Sequence, residues 1–77
     1  MKMPTIADLK KGQKAKVLDI SSDFIPLKLL EMGCLPGNDI QLVQNTPFRD
    51  PLYLNINDSY VAIRKETAIQ IEVEIIS

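Results

Sequence analysis

The chain has 77 residues, 45% hydrophobic and 25% charged, which is the composition of one small folded domain over residues 1–77 and not of a disordered segment. Nine Lys and Arg against ten Asp and Glu leave a formal net charge of -1, without the basic excess through which counterion release drives nucleic-acid binding. With no histidine and one cysteine, the chain cannot build an intramolecular disulfide, a two-histidine zinc motif or a histidine-based triad or dyad.

In chain order, Thr5 to Asp8 reads as a small T-x-x-D capping box that opens a helical turn, ended by Lys10, Lys11 and Gly12. Lys14 to Ile20 is the first strand: Ala15 and Val17 alternate with Lys14 and Lys16, and the phase breaks at Leu18, which predicts a bulge or a face switch. Asp23 is placed to cap a short helix over about Phe24 to Met32, with Pro26 in its first turn. Gly33 suits the left-handed position that closes a helix, and Pro36-Gly37 follows as a turn. Three strands come next, over Asp39 to Gln44, Leu52 to Asn57 and Tyr60 to Lys65. The turn residues Asn57, Asp58 and Ser59 join the second to the third. One helical turn at Glu66 to Ile69 leads to a last strand, Gln70 to Ile76. Five short strands and one short helix are most economically closed into a small β-barrel, which hides the sheet edges and fills the interior with alternate side chains.

The residues that carry chemistry are few. Gly12, Gly33 and Gly37 form neither a P-loop nor a dinucleotide fingerprint. Glu66, Glu72 and Glu74 are the main late acidic group, but they lack calcium-loop spacing and read as a solvated face. Cys34 follows a helix C-terminus and lies near Glu31. Both raise a thiol's pKa, so a small apolar corner residue is the plainer reading than a thiolate or a metal ligand. No cofactor or metal site is expected. On a helical wheel Leu27, Leu29 and Leu30 face the core, while Ile25 and Met32 fall nearer Lys28. The helix is thus apolar around more than the one stripe a core needs. Met32, with Leu35 beyond it, is a candidate partner-binding patch, and Cys34 sits within it. The loop from Thr46 to Pro51 adds Phe48 and Arg49, held between two prolines and of types enriched at interfaces, with a hairpin connection folded on the barrel as the plainer reading. No run approaches the ~18 apolar residues of a membrane span, and the N-terminal MKMPTIADLKKG has no apolar signal core. A cytoplasmic protein without membrane insertion is expected.

Several pieces taken together resemble one family. These are Leu29 to Gly37 (LLEMGCLPG), Pro47 to Asp50 and Pro51 (PFRDP), Ala62-Ile63-Arg64, Ala68-Ile69-Gln70-Ile71-Glu72-Val73, and the opening Asp8 to Gly12 (DLKKG). In this order and spacing the chain resembles the FeoA family, small proteins of bacterial ferrous iron transport. Arg49 departs from the pattern, which has glycine there. The resemblance implies an SH3-like five-stranded barrel. It also implies a non-enzymatic accessory role through protein–protein binding to FeoB, the membrane Fe(II) transporter, which would recruit the chain to the inner membrane. Weak self-association is in keeping with a small barrel of apolar corners. Two alternatives are an SH3-like domain related to those of iron-dependent repressors, and a small RNA-binding barrel. The second is short of basic and aromatic residues, since Phe24, Phe48, Tyr53 and Tyr60 are the only aromatics.

Overall fold

The computed structural model describes residues 3–20, 25–45 and 50–76. A 3₁₀ turn, Ile6–Asp8, opens the fold. Asp8 accepts the Thr5 backbone N–H on Oδ2 at 2.8 Å, the side-chain half of the capping box that the T-x-x-D spacing predicts, and the Asp8 N–H closes the turn on the Thr5 carbonyl at 2.9 Å.

Among the described residues five strands follow, β1 (Lys14–Ile20), β2 (Asp39–Asn45), β3 (Leu52–Ile56), β4 (Ser59–Ile63) and β5 (Ile71–Ile75). They form one sheet in the order β4-β3-β2-β1-β5, with every neighbouring pair antiparallel. Alternation in the sequence becomes alternation in burial. Leu52, Leu54 and Ile56 of β3 are buried and Tyr53 is exposed; Ala15 and Val17 of β1 are buried and Lys14 and Lys16 exposed. The phase break in β1 is a bulge: Val17 faces Val73, Asp19 faces Glu72, and Leu18 is the extra residue. β2 has a second irregularity, between Leu42 and Gln44. β3 and β4 are joined by Asn57 and Asp58, both at positive φ (52° and 64°). This is the left-handed pair of a two-residue turn whose twist matches its strands.

Two short helices, α1 (Leu27–Glu31) and α2 (Lys65–Ala68), complete the elements of the described residues. α1 is shorter than expected, and the expected face needs correction. Leu29 is buried and Leu30 half-buried, but Leu27 is 67% exposed and Ile25 is buried instead. Pro26 is the reason. It holds an extended conformation (φ −55°, ψ 133°) ahead of the first helical residue, so a helical wheel does not apply to Ile25 and the helix starts only at Leu27, with Pro26 outside its first turn. α2 begins beside the β2–β3 connection, where Asp50 Oδ1 accepts the Lys65 N–H at 3.1 Å and satisfies one of the orphan donors of its first turn.

All five strands, the 3₁₀ turn and both helices contribute to one buried cluster that includes Ile6, Leu9, Leu29, Leu42, Leu54 and Ile71. Such a short chain gathers one core because its sheet wraps the cluster on several sides.

Candidate functional site

The corner after α1 is built from a helix stop. Gly33 has φ +108°; its N–H donates to the Leu30 carbonyl at 3.1 Å and the Cys34 N–H to the Leu29 carbonyl at 3.0 Å. This paired 5→2 and 6→1 arrangement satisfies the last carbonyls of the helix and requires the left-handed residue that glycine supplies. The chain then docks on β1. The Gly37 N–H donates to the Val17 carbonyl at 2.8 Å, and the Val17 N–H to the Asn38 carbonyl at 2.9 Å.

Two amide side chains clamp the corner. Asn38 Nδ2 donates to the Gly33 carbonyl at 2.8 Å. From the β3–β4 turn, Asn57 Nδ2 donates to the Met32 carbonyl at 3.0 Å. A Cβ on Gly33 would collide with that Asn57 amide. The sequence marks Asn57 only as a turn residue. Its second task depends on a contact between positions 25 residues apart, for which local pattern has no signal.

The candidate patch divides. The Cys34 side chain is fully buried in the core cluster, so it presents no thiol to a partner and leaves the patch. The turn that satisfies the Leu29 and Leu30 carbonyls aims it inward. Burial raises its pKa above the ordinary 9.0, which keeps the thiol protonated and a poor nucleophile or metal ligand. Met32 is half-buried and Leu35 is 42% exposed, on a backbone tied to α1, β1 and the β3–β4 turn. Phe48 and Arg49 lie outside the described residues. Among the described residues no group of three or more His, Cys, Asp or Glu could hold a metal ion, and no helix is long and apolar enough to cross a membrane.

The enclosure of Cys34 has a measurable consequence. A thiol reagent reacts with the native protein roughly a hundredfold or more slowly than with the unfolded chain, because reaction awaits local opening. The unfolded thiol ionises at its ordinary pKa while the folded one does not. The stability linked to this group is therefore fully present below pH 9.0 and declines as pH rises past it. Chemical unfolding across that range, compared with Cys34→Ala, isolates this share of the decline; equal slopes in both proteins contradict it.

Comparison with known proteins places the chain. Residues 5–75 match the FeoA domain model. The chain is 40% identical over 73 residues to a Porphyromonas gingivalis protein described as a fusion of Fe(2+) transport protein A with the Fe(2+) transporter FeoB. The match covers 94% of this chain but 9% of that protein. The solution structure of iron(II) transport protein A from Clostridium thermocellum superposes with a TM-score of 0.86 at 32% identity, over 95% of this chain and 46% of that one. The zinc complex of Stenotrophomonas maltophilia FeoA, described as a prokaryotic SH3 domain protein, shares the fold at a TM-score of 0.77 and 24% identity, over 92% and 89% of the two chains. With its five-stranded antiparallel sheet, short helices and a match over residues 5–75, the chain belongs to the FeoA domain family and has the family's small SH3-like fold.

Proposed function

We propose that this chain is a non-enzymatic accessory factor of ferrous iron uptake that acts by binding the cytosolic face of an FeoB-type membrane transporter. The observation that carries this reading is the Porphyromonas gingivalis protein, in which an FeoA segment and an FeoB transporter share one chain. A covalent link raises the effective concentration of its parts for one another, which favours parts that act together. The balanced charge of the chain, nine basic residues against ten acidic, also favours a protein partner over nucleic acid.

The corner at Leu35 is the docking surface this reading favours. An apolar side chain on a backbone already fixed by hydrogen bonds loses little conformational entropy when a partner covers it. Leu35 is a better probe than Met32, whose half-buried side chain also supports the fold. A tagged chain isolated in mild detergent from iron-limited cells is expected to bring down the transporter, identified by mass spectrometry. Leu35→Lys, with an unchanged melting curve, is expected to weaken that recovery by roughly tenfold or more. Recovery that survives the variant moves the docking surface elsewhere. Failure to recover the transporter even after cross-linking overturns the proposed role.

A further inference from the structure

The two edges of the sheet are finished differently. Along β5, Thr5 bridges Glu72 and the Val73 N–H donates to the Pro4 carbonyl at 2.9 Å, so the N-terminal segment covers that edge. Along β4 no such cover is found among the described residues. The phase of the β3–β4 hairpin says which groups are left over. Its two-residue turn makes Ile56 and Ser59 a hydrogen-bonded pair, and Val61 and Ile63 follow in the same phase opposite Leu54 and Leu52. The backbone N–H and carbonyl groups of Tyr60 and Ala62 therefore point away from β3, out of the sheet. Both residues are exposed, Tyr60 at 70%. A groove of about 370 Å³ is lined by Leu29 of α1, by Val61, Ala62 and Ile63 of β4 and by Glu66 and Thr67 of α2.

Native sheets defend such an edge with lysine, proline or an inward charge. The strand from Ser59 to Ile63, SYVAI, has none of these. Its charges sit just beyond its two ends, Asp58 before it and Arg64 after it, both exposed.

We propose that a second copy of this chain pairs its β4 antiparallel against this edge, about a twofold axis at Val61. In that register Tyr60 lies opposite Ala62 of the partner subunit, and the outward N–H and carbonyl of each meet those of the other. Asp58 and Arg64 are each three residues from Val61, so each Arg64 meets the partner's Asp58, once on either side of the axis. The neighbouring registers lose this match. An axis at Ala62 sets Asp58 against Glu66, like against like, and an axis at Tyr60 sets Arg64 against Ile56. The charge pattern is thus self-complementary in one register, which selects a second copy as the occupant of the edge. A strand pair of this length buries little surface, so the dimer is weak and forms with rising concentration.

Sedimentation velocity over a concentration series tests this. The wild-type chain is expected to shift from monomer towards dimer as concentration rises. Asp58→Lys sets like charges at both ends of the pair, as does Arg64→Asp, and each alone is expected to associate roughly tenfold or more weakly. Mixing the two variants restores opposite charges on both sides of the axis and is expected to restore the dimer. Ala62→Pro removes an outward N–H without taking a bond from β3, and is expected to abolish association while the thermal transition persists. A wild-type chain that stays monomeric throughout overturns the proposal. So do single variants that associate like wild type, or a mixture that fails to recover.

Discussion

Replacing Gly33 with alanine is expected to lower the melting temperature by about 15 °C, which corresponds to about 3 kcal/mol in a domain of this length. Two effects add. A β-carbon at φ +108° is strained, at about 1–2 kcal/mol. The same β-carbon displaces the Asn57 amide from the Met32 carbonyl, and losing that bond costs about 1 kcal/mol more. The second effect can be separated from the first. In an Asn57→Gly background the obstructing amide is gone and the turn keeps a residue suited to φ 52°. There Gly33→Ala is expected to cost only the backbone share. Equal losses in the two backgrounds, measured by thermal unfolding, would show that the clamp contributes nothing.

Leu54→Ala is expected to destabilise the fold by about 2–5 kcal/mol. Leu54 sits at the middle of β3, fully buried, opposite Leu42 on one side and Val61 on the other. The sheet backbone holds those neighbours, so they collapse little into the space a shortened side chain leaves. A domain of this length has a total stability of about 4–12 kcal/mol, so the substitution removes a large fraction of it. Tyr53, next in the strand, points out of the core at 41% exposure, and Tyr53→Ala is expected to cost about 1 kcal/mol or less. Urea unfolding checks both. The Leu54 variant should shift the midpoint strongly with little change in slope. A loss no greater than that of Tyr53→Ala contradicts the account of the core.

The parts of this fold that were legible in the sequence are those set by near neighbours. Period-two alternation located β3, the broken phase at Leu18 located the bulge in β1, and Gly33 located the helix stop. The face of α1 was not legible, because a five-residue helix entered from an extended proline has no continuous wheel. The corner at Cys34 was found, but not the direction of its side chains. That direction follows from the docking of Gly37 and Asn38 on Val17 and from the Asn57 clamp, which join distant parts of the chain. Leu35, exposed, and Cys34, enclosed, are adjacent residues of similar polarity, and only the backbone path separates their tasks.

The central claim is that this chain acts by binding the iron transporter, and a titration of purified components tests it most directly. Detergent-solubilised FeoB from the same organism would be added to the fluorescently labelled chain, and binding followed by anisotropy. The account predicts saturable binding that Leu35→Lys weakens by roughly tenfold or more. A chain that is folded by its thermal transition yet shows no saturable binding at any transporter concentration would contradict it.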